Sequence, residues 1–398
     1  MKALIPGRVL FHLYGLPLFF FPLSTAGSGI SLGLLFLAYL GSGYWQRWRI
    51  LKERSWALPW GLLVAWTLLG LLWTADMGFG QKVAVATLDA VFAYMGATLP
   101  WTGPGVRSVI RWFLAGILLN EAAAFLMTWK VLPWSNVGHL PFTGFCGHIF
   151  LSLAIAHAVL WLVYDQKWEW NFPRWTNLLL IVLLCIQLAL TPARSGQLLL
   201  LVLVPAALFL LYPGRWRLFI PPAGLVAVLL LLLVPEIRAH FLLGIHQLVH
   251  FSPDQANVHS SWGIRMVAMW GGALLFLEHP LFGVGTGDFY REILHLQSQH
   301  MIPATPGFIM NTAANSYLSV AASLGVVGLV FFLWMLVALG RECWHARRTA
   351  AGWFAMGYLA IYVVGGLFNS MNWGYADAIT IALMAGLPLA AAHLGEAS

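Results

Sequence analysis

Apolar residues dominate long stretches of the chain and are separated by short polar turns that carry most of the charges. Crossing the hydrocarbon of a bilayer takes about 20 apolar residues in a helix. On that measure the runs predict membrane helices at about 9–23, 29–45, 57–74, 82–99, 108–128, 145–163, 176–191, 195–211, 218–234, 316–338, 351–368 and 376–393. One interval breaks the rhythm. Residues 235–315 form a single connection of about 80 residues, whereas structureless loops seldom exceed about 15. Inside it, "IRMVAMWGGALLFLEH" (264–279) has helical apolar spacing and "HPLFGVGTGDF" supplies a Pro and Gly turn, so the interval reads as an ordered loop with short helices.

Composition agrees with this pattern. The chain of 398 residues is 60% hydrophobic and 9% charged, with a mean hydropathy of +0.80. A soluble fold of this length has too little apolar interior for such a composition. The expected fold is an all-α polytopic membrane protein of about twelve transmembrane helices, with 1–398 as one integral membrane domain. An even number of spans puts both termini on one side. The N-terminal segment, "RWRILKER", "RSVIR", "DQKWEWNFPR", "GRWR" and "RECWHARR" hold 15 of the 21 Lys and Arg residues on that same side, which makes it cytoplasmic. The net charge of +7 is then mainly an orientation signal with some attraction to anionic headgroups, and nucleic acid is not an expected partner. Cys146, Cys185 and Cys343 are too scattered to suggest disulfides or a thiolate metal site.

Six cations escape the orientation rule: Lys82, Lys130, Arg194, Arg238, Arg265 and Arg291 all fall on the outer face. Arg194 lies in "TPARSG", where Pro192 and Gly196 interrupt two apolar helices. It reads either as a snorkelling interface residue or as half of an anion site at a helix N-terminus. Arg265 starts the loop helix, with Ser260 or Ser261 available as its N-cap. Two arginines, each beside a helix start, suit a diphosphate, because a guanidinium fork binds phosphoryl oxygens in pairs. Lys82 begins a helix on the same face and is either a third positive group there or another snorkelling residue. Seven histidines crowd the loop, and His246 with His250 has ligand spacing, but no acidic third ligand stands nearby and no metal is expected. Asp89, Glu121 and Asp377 lie within or at the edge of spans. They are candidates for function or for packing, with Asp89 and Asn120–Glu121 placed to satisfy one another.

Three stretches in order, "TPARSG", "GIRMVAMWGGALLFLEHPLFGVGTGDF" and "ANSYLSVAASLGVVGLVFFL", form an R…HPLxGxGxG…NxYL…GxxGL skeleton that resembles the O-antigen ligase family. The resemblance implies a GT-C-like membrane glycosyltransferase of the bacterial inner membrane, without metal or soluble cofactor. Its donor would be an undecaprenyl-diphosphate-linked O-antigen and its acceptor lipid A-core, joined with inversion on the periplasmic face at a site built partly by loop 235–315. The same skeleton is similar to that of polymerases. A lipid-linked oligosaccharide transporter would also have twelve spans, yet repeated halves are not evident.

By the same resemblance Arg194 and Arg265 hold the diphosphate, Lys82, Asn315 and Tyr317 are further substrate-binding candidates, and a histidine directly before the Asn of "NSYL" is the general base. Here that position is Ala314. An imidazole suits the task because a sugar hydroxyl must lose its proton as it attacks; a methyl group accepts none. Three readings follow: a His-to-Ala replacement that traps a substrate complex, a natural departure, or a base supplied by His295 or His300. The first two leave a chain that holds its donor far better than it reacts with it.

Overall fold

The structure, a computed structural model, describes residues 6–132, 140–191, 193–222, 224, 233, 235–249, 260–305 and 308–389. These residues are helical or lie in turns, with no strand among them. The helices are α1 (Gly7–Phe20), α2 (Thr25–Ser42), α3 (Ala57–Leu69), α4 (Met77–Leu88), α5 (Val91–Thr98), α6 (Gly103–Thr128), α7 (His148–Trp168), α8 (Arg174–Leu190), α9 (Arg194–Leu211), α10 (Pro235–Val249), α11 (Ser261–Glu278), α12 (Phe289–Ser298), α13 (Ser316–His345), α14 (Ala350–Gly365) and α15 (Tyr375–Ala385). Five are long and apolar enough to cross a membrane: α2, α6, α7, α9 and α13. A sixth span arises if the 3-10 segment Tyr44–Glu53 and Ala57–Trp73, bent by 105°, count as one. The protein is thus a polytopic membrane protein. Most of the expected span at 218–234 lies outside the described residues.

Helix α7 is the axis of the bundle. Every residue from Leu151 to Asp165 is buried, which matches a sequence that is apolar on all sides and so has no face to offer to lipid. Helices α6, α8, α9 and α14 pack around it. Lipid tails are as apolar as leucine, so these contacts rest on close packing and small residues. The meeting of α7 and α9 shows this well. A Cβ on Gly196 would come 2.5 Å from both Cβ and the carbonyl oxygen of Ser152, so only glycine lets the first turn of α9 lie directly on the first turn of α7. That contact fixes where Arg194 can be.

The expected span 82–99 is two helices, α4 and α5, separated at Asp89 and Ala90. The long loop is more helical than its sequence pattern indicates: α11 was anticipated, whereas α10 and α12 were not. The loop also has its own small core, in which Val267, Leu275, Phe289, Ile293, Leu296 and Ile302 pack with Ala313 and Ala322.

The "HPLFGVGTGDF" turn works as a bracket. Helix α13 is interrupted at Gly325 (φ 68, ψ −169), a conformation essentially confined to glycine. The interruption frees carbonyls, and the turn's amides take them: Val284 N donates to Ala322 O (2.9 Å) and Gly285 N to Ser323 O (3.1 Å). Val326 N in turn donates to Pro280 O (2.8 Å). Asp288 accepts from the backbone amides of Ala75 and Asp76 (2.8 and 2.6 Å), reaching the segment before α4. The motif therefore holds α11 against α13.

Candidate functional site

Two neighbouring cavities open where the starts of α7 and α9 meet α11, and Arg265 lines both. The first, of about 280 Å³, is bounded by His148 and Ile149 at the start of α7, by Ala193, Arg194 and Ser195 at the start of α9, and by Trp262 and Arg265 on α11. The caps of α7 and α9, Gly147 and Ala193, give no side-chain hydrogen bond, so among the described residues no capping side chain engages the first-turn amides of either helix. Arg194 makes no hydrogen bond or ion pair among the described residues, and α10 lies over it: a Cβ on Gly244 would sit 3.0 Å from Arg194 Nη1.

Arg265 owes its place to α11. Ser260 caps that helix, its side chain accepting from Gly263 N at 2.9 Å. Seven residues on, or nearly two full turns, Gly272 shares the face of Arg265. A Cβ there would come 2.8 Å from Cβ of Ala313, so this face of α11 is pressed against the segment that carries position 314. Burial, and next the nearby charge of Arg194, lower the affinity of the Arg265 guanidinium for its proton, yet an arginine keeps its charge. Two cations held close in partial burial repel each other, and an anion between them turns that repulsion into attraction.

The second cavity, of about 310 Å³, is lined by Arg265, Thr312, Ala314, Asn369, Ser370 and Asp377, with Ile149, Phe150 and Leu153 of α7 as its apolar side. Ala314 has φ 52. Left-handed backbone costs an alanine about 1 kcal/mol, and Asn, Asp and His are the non-glycine residues most enriched there. The backbone at 314 thus suits a histidine better than the residue it carries.

The polar residues after it serve the fold. Asn315 caps α13, accepting from Leu318 N (2.9 Å), and donates to Leu367 O (2.8 Å). Tyr317 donates to Val363 O (2.7 Å). Ser316 accepts from Met371 N (2.9 Å), and Ser319 meets Ser370 (3.0 Å). "NSYLS" therefore clamps the start of α13 to the connection between α14 and α15, and that connection carries Asn369 and Ser370 into the second cavity.

Of the residues singled out in the sequence, Arg194, Arg265 and Ala314 come together; Asn315 and Tyr317 stand beside them with their polar groups engaged in the fold. Lys82 is exposed on α4 and lines neither cavity. His295 and His300 are exposed on and after α12 and line neither. Pro192, His250 and His259 lie outside the described residues, among which no group of three metal-ligating side chains forms. Asn120 does not face Asp89: it bonds Phe145 N (2.9 Å) and Thr143 O (3.3 Å). Asp89 Oδ2 and Glu121 Oε1 are buried without a hydrogen bond among the described residues. His148 carries no signal in the sequence, since "GHIFLSL" looks like a plain helix start; only its place in one cavity with Ala193, Arg194 and Ser195 draws it in.

No curated protein matches the chain. Residues 178–333 match the family model described as O-Antigen ligase. The match runs from α8 into α13, takes in Arg194, Arg265 and Ala314, and supports assigning the chain to the O-antigen ligase family.

Proposed function

We propose that the chain transfers an O-antigen glycan from undecaprenyl diphosphate to lipid A-core at the periplasmic face of the inner membrane. The observation that carries this reading is that Arg265 lines both cavities. The first cavity, with Arg194, Arg265, His148 and the open ends of α7 and α9, takes the diphosphate. The second takes the acceptor sugar, and the anomeric carbon lies at the junction. All of 1–398 acts as one membrane domain with twelve spans and cytoplasmic termini, and loop 235–315 supplies Arg265 from above.

The chemistry follows from the charges. As the bond from the anomeric carbon to the diphosphate breaks, negative charge grows on the leaving oxygen, and fixed guanidinium and amide N–H groups stabilise it there. The leaving group needs no proton. The attacking hydroxyl does need to lose one, and Ala314 offers no acceptor. Loss of a general base costs about 10²- to 10⁴-fold, or about 3–5 kcal/mol of barrier, so the chain is an impaired transferase relative to one with histidine at 314. The test is reconstituted transfer between purified lipid-linked donor and lipid A-core by Ala314→His. Product formation supports the reading, and a folded, donor-binding variant that makes none contradicts it.

A further inference from the structure

Besides Ala314, the second cavity is lined by a carboxylate. Asp377, in the first turn of α15, lines the same space as Ala314 and Arg265. Its Oδ1 accepts the hydroxyl of the buried Tyr358 at 3.1 Å, which fixes the carboxylate's direction. Asp377 forms no ion pair within 4 Å among the described residues, and Arg265 is the cation that lines the same cavity. The connection that leads to it is pinned by hydrogen bonds: Ser370 meets Ser319 at 3.0 Å, Asn372 donates to Ser316 O at 2.8 Å, and Tyr362 donates to Asn372 at 3.0 Å. The "NSYLS" clamp therefore sets position 314 and the segment leading to Asp377 in one frame.

Resting on the transfer reading above, we infer that Asp377 is the catalytic proton acceptor of this chain. The acceptor hydroxyl oxygen attacks the anomeric carbon; its proton passes to the Asp377 carboxylate; the bond to the diphosphate oxygen breaks and its electron pair leaves with the diphosphate. The carboxylic acid then releases the proton to periplasmic water. An aspartate is ordinarily a weaker base than an imidazole, with reference pKa values of about 3.9 and about 6.5. Transfer through Asp377 is accordingly slower than through a histidine at 314, but faster than with neither.

The experiment uses the full chain reconstituted with undecaprenyl-diphosphate-linked glycan and lipid A-core, reading donor affinity and transfer rate separately. The unmodified chain is expected to transfer measurably. Asp377→Asn, which keeps an acceptor for Tyr358 but is not basic, lowers the rate about 100-fold with donor affinity unchanged. Adding Ala314→His to Asp377→Asn restores transfer, which a merely structural aspartate would not allow. Donor binding without transfer in the unmodified chain overturns the inference, as does an undiminished rate in Asp377→Asn or no recovery in the double variant. Should Asp377→Asn fail to hold donor, Asp377→Glu decides: retained transfer supports proton acceptance, and loss of transfer at full donor affinity overturns it. Absence of donor binding in the unmodified chain overturns the parent reading instead.

Discussion

The two cavities share Arg265 and the apolar Ile149 and differ in what their other walls ask of the chain. The first is bounded by charge: Arg194, Arg265 and the first turns of α7 and α9, whose cap residues give no side-chain hydrogen bond. The second is bounded by the fold's own clamp, with Ala314, Asn369 and Ser370 placed by hydrogen bonds between the start of α13 and the connection after α14. A charged site can lose one group and still attract its anion. Proton transfer needs a basic group at the right place, so on the proposed reading the alanine at 314 weakens the second cavity and leaves its chemistry to Asp377, while the first is untouched.

Substitutions sharpen or break that division, and the largest effect is expected in the second cavity. In an Asp377→Asn background, Ala314→His should raise transfer by about 10²- to 10⁴-fold while donor affinity stays constant; a parallel change in both would mean that the cavities are not functionally separate. Arg265→Ala comes next. Loss of a paired, charge-assisted contact of about 3 kcal/mol weakens diphosphate binding roughly 100-fold. Because Arg265 lines both spaces, transfer falls further than binding alone explains; equal losses would put it in the first cavity only. Arg194→Ala should weaken binding to a similar degree and leave the rate at saturating donor nearly unchanged.

His148→Ala is expected to cost about 1.5 kcal/mol of donor binding, roughly 10-fold, measurable by titration with undecaprenyl diphosphate. Unaltered affinity would leave His148 a lining residue only. Smallest is Asn315→Ala. Removing an N-cap costs about 1 kcal/mol of stability, so thermal melting in detergent should fall slightly with donor affinity preserved. A large loss of donor affinity without any loss of stability would return Asn315 to the list of substrate contacts.

How much of this was legible in the sequence depends on the physical signal each part leaves. Apolar runs of bilayer length announce themselves, and so did α7, α9 and α13. Arg194 and Arg265 stood out because the cation pattern that sets the expected orientation does not account for them. Ser260 was readable as a cap because its preference is local. By contrast, α10 and α12 hid in a polar loop whose helices are stabilised by contact with one another and with the bundle. The division of 82–99 at Asp89 left no Pro or Gly to mark it. His148 and Asp377 lie far from positions 194 and 314 in the chain, and only the packing of α7 on α9, and of α13 on the connection before α15, brings them together. The "HPLFGVGTGDF" and "NSYLS" motifs were visible, but their part in bracing the break at Gly325 and the start of α13 was not, since it lies in backbone groups that a sequence does not distinguish.

The central claim is that Arg265 joins a diphosphate site to an acceptor site. The most direct measurement is equilibrium binding of undecaprenyl diphosphate to the purified chain and to its Arg265→Ala and Arg194→Ala variants. The account predicts binding by the unmodified chain and a loss of roughly 100-fold in each variant. Affinity that is unchanged in both would contradict it.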